Sequence, residues 1–197
     1  MSEQRVESKA LGDLPVWDLS DLYAGPDAPE LTADLDQAAA EAEAFQAEFQ
    51  NNLAALDGDA LAAAIARYEA IEEALGRVMS YAQLVHAGDM SDAEAGRFFQ
   101  NMQERTTDIS TALLFFTLEL NRLEEAELEA KLASAALARY RPWLRDIRAF
   151  RDHQLSDELE SLLHEKQVAG RAAWIRLFDE TMADLRFDFE GERLTST

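Results

Sequence analysis

The residues of this sequence best suited to chemistry are three histidines and a dense set of carboxylates. The run from His164 to Val168 (HEKQV) approaches the HExxH pattern of zinc peptidases. That pattern places two histidines four residues apart on one helical face, where both bind one zinc ion and the glutamate activates water. Val168 stands where the second histidine is needed, so the run is predicted to hold no zinc.

The other candidate groups are equally weak. His86 and His153 lie far from His164 in the sequence, whereas zinc sites usually contain at least one close ligand pair. With 39 acidic residues in 197, adjacent carboxylates arise from density alone. The sequence therefore predicts no catalytic residue, no metal ligand and no cofactor held by this chain, and it identifies no substrate-binding residue. The carboxylate pairs considered are Glu72/Glu73, Glu124/Glu125 and Asp179/Glu180.

Arginines form one basic cluster in an otherwise acidic chain. Those at 141, 145, 148 and 151 follow at helical spacing and can share one face. One reading is a docking patch or a grip on substrate carboxylates, because arginine binds carboxylate in a bidentate manner. The other reading is pairing with acidic helices of the same domain. The cluster comprises Arg139, Arg141, Arg145, Arg148 and Arg151.

Composition limits the partners. The net charge is −21, and residues 1–138 hold 27 acidic and 8 basic side chains, so nucleic acid is not an expected partner. The chain has no cysteine, which excludes disulfides and thiolate metal sites. Residues 1–15 lack the apolar core of a signal peptide, and no run approaches the ~20 apolar residues of a membrane span. We therefore expect a soluble cytoplasmic protein with no membrane partner.

Apolar periodicity predicts a mostly all-α chain, a helical bundle with a long antiparallel helix hairpin and a small C-terminal β-hairpin. Residues 1–29, interrupted by prolines, are expected to form an extended entry segment. Residues 30–185 are expected to form a helical domain. Residues 186–197 are expected to contain the β-hairpin, turning at Glu190-Gly191, and the start of a truncated continuation. The chain ends where a helix N-cap would be expected, which favours a piece of a larger protein.

Two long helices are predicted to form the helix hairpin. Asp59 is the expected N-cap of the first, and Ser91 with Glu94 forms a capping-box pattern before the second. The second helix has apolar residues off its main stripe, which we expect to be exposed for contact with another domain. These residues are Phe98, Leu114, Phe115 and Leu118. Farther along, Trp174 lies on the apolar stripe of a later helix and is expected to be buried.

Three segments carry a family resemblance. Gly170–Met182 (GRAAWIRLFDETM), followed by Leu185–Phe187 (LRF), resembles the amino-terminal region of oligoendopeptidase F-type zinc peptidases of the M3, thimet-like family. Leu14–Tyr23 (LPVWDLSDLY) is similar to the entry segment of that family, and Tyr81–Leu84 (YAQL) falls where the family has a similar helix. The family's zinc motif lies far downstream of the matched region.

The resemblance implies a function for a larger protein. It implies a zinc-dependent endopeptidase for short peptides, in which this helical region forms a wall or lid over a channel. Zinc, the peptide substrates and the catalytic domain would then belong to the parent enzyme, and this chain alone would be inactive. The rival interpretation is a freestanding acidic helical interaction module that self-associates through the apolar faces of its helices.

Overall fold

The computed structural model describes residues 17–194, and these form nine α-helices and one two-stranded antiparallel sheet. The predicted fold class is confirmed. The Leu14–Val16 part of the entry segment and the end at Thr195–Thr197 lie outside the described residues. In chain order the elements are α1 (Pro29–Phe49), α2 (Gly58–Gly88), α3 (Ala93–Thr111), α4 (Leu114–Arg122), α5 (Glu125–Lys131), α6 (Ala135–Ala138), α7 (Arg141–Arg148), α8 (Asp157–Gln167), α9 (Ala173–Asp184), β1 (Phe187–Phe189) and β2 (Glu192–Leu194).

Helix α1 begins at a proline and buries one apolar stripe. Pro29 suits the first turn because its fixed φ is helical and its missing N–H would have no partner there. The helix packs on α2, which also packs on α3. The buried stripe consists of Leu31, Leu35, Ala38, Ala42, Phe45 and Phe49.

The end of the entry segment is fixed by Tyr23. Its hydroxyl donates to Asp34 Oδ2 at 2.7 Å, and its ring meets Tyr81 of α2 edge-on with centroids 5.4 Å apart. Burial, reinforced by the Asp34 carboxylate, raises the pKa of Tyr23 to about 12, so the phenol remains a donor at neutral pH. Trp17 is 86% exposed and does not anchor the segment.

Both predicted N-caps are wrong, by two residues for α2 and by one residue for α3. Asp57, and not Asp59, caps α2, because its Oδ1 accepts from the Ala60 N–H at 2.8 Å. Asp92, and not Ser91, caps α3 by accepting from two N–H groups of the first turn. In each case the pattern offers neighbouring acceptors, and the one in extended conformation directly before the first helical residue takes the role.

The predicted second long helix is broken into α3 and α4. The hydroxyls of Ser110 and Thr111 both donate to the Thr107 carbonyl, at 3.1 and 2.9 Å. Such bonds compete with the helix ladder and bend helices. The N–H groups of Ala112 and Leu113 then bond to carbonyls three residues back, which tightens the backbone and ends α3.

The break resets the helical phase, and the expected exposed face does not exist. Phe115 and Leu118 are only 7% and 6% exposed, and Phe98 and Leu114 are half-buried. Helix α4 is covered by α7, α8 and the 3₁₀ turn Leu53–Ala55. The prediction is wrong because it assumed one continuous helix, whose apolar stripe would run from α3 through the turn into α4.

Aromatic side chains form the centre of the core. The ring of Phe45 in α1 lies 5.0 Å from Phe116 and 5.9 Å from Phe115, both in α4. Tyr68 of α2 lies 5.0 Å from Phe116. Edge-to-face and offset aromatic pairs at these distances add to the gain from burial. The cluster therefore joins α1, α2 and α4.

The C-terminal β-hairpin turns where the sequence predicts. Glu190 and Gly191 both have positive φ, 51° and 87°, as tight two-residue hairpins require. Phe187 pairs with Leu194 across the strands, and Phe189 lies on the same face as Phe187. Three of the four side chains on this face are therefore apolar, and the fourth is Glu192, opposite Phe189.

We expect Gly58 to tolerate no side chain. A Cβ there would lie 2.3 Å from the carbonyl oxygen of Lys131, the last residue of α5, and 2.7 Å from Cβ of Ser134, which precedes α6. Gly58→Ala should lower the free energy of unfolding by roughly 1–3 kcal/mol, as overpacking does. The matched control is Gly76→Ala on α2, where nothing lies within 4 Å and ~1 kcal/mol of stabilisation is expected. Urea unfolding of both variants measures the difference, and equal stabilities would contradict the close packing at Gly58.

Candidate functional site

His164 takes part in an interhelical hydrogen bond. Its Nε2 lies 2.7 Å from Ser110 Oγ, which joins α8 to α3. The Ser110 Oγ also lies 3.1 Å from the Thr107 carbonyl oxygen, and a hydroxyl that donates to this carbonyl accepts from the Nε2–H tautomer of His164. In a nucleophile–base pair the proton would run in the opposite direction. The geometry gives the HEKQV run a structural role.

The three histidines occupy separate places. His86 is buried in the last turn of α2, His153 lies in the 3₁₀ turn Arg151–His153, and His164 lies in α8. Within residues 17–194, no group of three or more His, Cys, Asp or Glu side chains is arranged to hold a metal ion. The side chains described do not fit a zinc site, and no chemical step through zinc is assigned to them.

Each arginine of the basic cluster contacts a carboxylate of the same chain. This arrangement agrees with the interpretation that the cluster neutralises acidic helices of its own domain. Contacts between 2.7 and 3.7 Å join Arg139 to Glu69, Arg141 to Glu129, Arg145 to Asp146, Arg148 to Glu125 and Arg151 to Glu124.

Arg148 does more than pair with an acid. Its side chain is 9% exposed, and its guanidinium donates to the carbonyls of Leu120 and Leu123 at 2.6 and 2.9 Å. These are carbonyls at the end of α4, which have no partner within the helix. A buried arginine on α7 therefore closes the C-terminus of α4 and holds the two helices together.

The carboxylate pairs have structural partners or face solvent. Glu124 and Glu125 contact Arg151 and Arg148, and Glu180 lies 3.9 Å from Arg176 on the same helix. Glu72 and Glu73 lie on the solvent side of α2, and partial burial raises the pKa of the Glu72 carboxyl. Burial alone causes that rise, with no contribution from a second carboxylate, and ion pairs account for Glu124, Glu125 and Glu180.

Helices α8 and α9 are joined by a kinked π-helical segment, Val168–Ala172. Gly170 in this segment has φ −102° and ψ −108°, outside the helical region. Glycine is suited to such a position because it lacks the Cβ that restricts other residues. The kink allows α9 to leave the direction of α8.

Helix α9 is amphipathic, but its apolar face is turned away from the bundle. The side chains partly buried against the rest of the chain are small or charged: Ala173, Arg176, Asp179 and Ala183. Trp174 is 71% exposed, Phe178 64% and Leu177 52%. The prediction that Trp174 is buried is therefore wrong. Periodicity correctly identifies the stripe, but nothing among the described residues covers it.

The exposed apolar residues extend beyond α9. No residue of α8, α9 or the hairpin is fully buried, and most large apolar side chains there are at least one-third exposed. We call this set the C-terminal apolar surface. So many exposed large apolar side chains on three successive elements are typical of a segment that meets a partner, because monomeric proteins rarely leave large apolar areas uncovered. Its members are Leu159, Leu162, Leu163, Trp174, Ile175, Leu177, Phe178, Met182, Phe187, Phe189 and Leu194.

This surface is not that of a membrane span. None of the helices in the described part of the chain is both long enough and apolar enough to cross a bilayer. Helix α9 is 12 residues long and carries charged residues on its inner face.

The family comparison matches the same part of the chain. A family model described as oligopeptidase F, the amino-terminal region of M3 peptidases, matches residues 119–187. No curated protein and no solved structure matches the chain. The match confirms the resemblance to the amino-terminal region of an M3 oligopeptidase. It runs from α4 to β1, whereas the segments Leu14–Tyr23 and Tyr81–Leu84 lie outside it.

We expect the loss of Arg148 to be costly. Arg148→Met keeps the length of the side chain but leaves two carbonyls of α4 unpaired, so the free energy of unfolding should fall by about 2–4 kcal/mol. The matched control is Arg145→Met on the same helix, because Arg145 is 76% exposed and contacts only the adjacent Asp146. That control should change stability by less than about 0.5 kcal/mol. Chemical unfolding of both variants decides the point, and similar small losses would show that Arg148 does not close α4.

Proposed function

We propose that this chain, whose residues 119–187 match the oligopeptidase F amino-terminal family, is the helical wall or lid of a zinc-dependent oligoendopeptidase. The parent enzyme would hydrolyse short peptides. Its zinc ion and catalytic residues would belong to a downstream domain outside these 197 residues, since the sequence contains no HExxH motif. The segment alone is expected to be inactive.

One observation carries this proposal: most of the C-terminal apolar surface lies within the residues that the family model matches. The match ends at Phe187 in β1, and the surface covers α8, α9 and the hairpin. A wall that packs on another domain needs an apolar face that its own core leaves uncovered. The apolar stripe of α9, which faces away from the bundle, supplies such a face.

The bundle suits the role of a rigid support. Its aromatic core joins α1, α2 and α4, and Arg148 holds α7 to α4. The C-terminal segment therefore follows helices that are packed together. The negative charge of the helices would attract cationic peptides, with a reach set by the Debye length of about 8 Å at physiological salt.

The alternative is a freestanding acidic helical interaction module. The C-terminal apolar surface also supports this interpretation, because two copies could cover each other's exposed side chains. The two functions differ in what covers the surface. The peptidase proposal requires a downstream domain of the same protein, whereas the module requires only a partner chain.

Expression of the complete reading frame tests the proposal. We expect the longer protein to contain HExxH and to cleave a fluorogenic short peptide in a chelator-sensitive manner, while residues 1–197 alone neither cleave it nor retain stoichiometric zinc. Replacing Trp174 and Phe178 with Glu in the longer protein should lower kcat/KM by at least about tenfold, because the wall can no longer dock.

The matched control is Leu84→Glu, which places the same charge at a side chain 45% exposed on α2, outside the C-terminal apolar surface. This variant should keep kcat/KM within about twofold of the parent. A reading frame without zinc ligands, or a double variant with full activity, would reject the wall and favour the freestanding module.

A further inference from the structure

Helix α8 turns an apolar row of its own away from the bundle. Glu160, Ser161 and His164 are partly buried, and the His164 ring bonds to α3, so this side of the helix faces the bundle. Leu159 and Leu162 lie on the opposite side, where they are 48% and 47% exposed. The outward face of α8 is therefore an interaction surface, and the charges beside its leucines indicate which partner it fits.

Two opposite charges flank Leu162 at equal distances along α8. Glu158 lies four residues before Leu162 and Lys166 four residues after it, and both side chains are exposed. Residues at four-residue steps share one helical face. Glu158 and Lys166 are about 12 Å apart along the axis, too far for the i,i+4 pairing that joins charges within a helix. Lys166 also borders a cleft that contains Glu104 and Asp108 of α3, but no ion pair among residues 17–194 joins it to either.

This charge pattern is complementary to itself. In an antiparallel pair of α8 helices with Leu162 at the twofold axis, Glu158 of each copy lies opposite Lys166 of the other. A parallel pair would instead place each charge against its own equivalent, which costs free energy. Glu165 is turned by about 100° from Lys166, to the edge of the face. We propose that a second copy of this chain binds the outward face of α8 in this antiparallel arrangement.

The dimer is expected to be weak. Helix α8 has 11 residues and is therefore about 16 Å long, too short to supply the ~800 Å² per partner of a standard interface. The net charge of −21 on each copy also opposes association, although salt screens charges beyond about 8 Å. We expect a Kd on the order of 10–100 µM at physiological salt.

The inference goes beyond the proposed function and does not rest on it. The wall would dock through Trp174 and Phe178 of α9, whereas the dimer uses α8, on the other side of the kinked segment Val168–Ala172. The measurements below need no peptidase activity. A chain that stays monomeric would refute the dimer and leave the wall in place, and a longer protein without activity would leave the dimer in place.

Sedimentation equilibrium of purified residues 1–197, from about 1 to about 500 µM, measures the association. The parent chain should change from monomer to dimer over this range. Leu162→Glu should raise the Kd by at least about tenfold, because it places two like charges at the twofold axis. Phe178→Glu makes the same change on α9 and should leave the Kd within about twofold. A parent chain that is monomeric throughout, a dimer that survives Leu162→Glu, or a dimer lost in Phe178→Glu would reject the proposal.

Exchange of the two charges tests the antiparallel arrangement. Glu158→Lys should raise the Kd at least about fivefold, because two lysines then meet at each end of the interface, even though the chain becomes less acidic. The matched control is Glu73→Lys, which makes the same charge change at an exposed position of α2 and should not weaken the dimer. Glu158→Lys combined with Lys166→Glu restores opposite charges at the parent net charge, so the Kd should return to within about twofold of the parent value. An exchanged chain that dimerises as weakly as Glu158→Lys alone would contradict the antiparallel pairing.

Discussion

The orientation of α9 is the constraint on which the account depends. This helix packs on the bundle with Ala173, Arg176, Asp179 and Ala183, so its aromatic stripe has to face outward. The arrangement is unfavourable for an isolated chain, because apolar area remains in water at about 25 cal/mol per Å². It becomes favourable once a partner covers the stripe.

The helices that precede α8 form a packed core on which α9 rests. Phe45, Tyr68 and Phe116 bind three helices into one core, and Arg148 closes the end of α4 from α7. After α7 the pattern of burial changes, because neither α8 nor α9 contains a buried residue. The chain thus changes from a self-sufficient core to a segment that presents its apolar side chains, and the family match spans this change.

The sequence predicts much of this fold, and its failures have clear physical causes. The turn at Glu190-Gly191 is a local pattern, and it is confirmed. The break between α3 and α4 depends on hydroxyls that bond back to the backbone, which an apolar stripe does not reveal. For Trp174 the helical pattern identifies the apolar face of α9. It cannot tell whether that face meets the chain's own core or another protein, so the prediction of burial fails.

The most direct test is the solvent access of Trp174, measured by acrylamide quenching of its fluorescence in a chain whose Trp17 and Trp143 are replaced by Phe. In dilute, monomeric residues 1–197 we expect quenching nearly as efficient as for a free indole, because the side chain is 71% exposed. In the longer protein that contains the downstream domain, the same residue should be shielded. A Trp174 already shielded in the monomeric 197-residue chain would mean that α9 packs with its apolar face inward, and it would contradict the account.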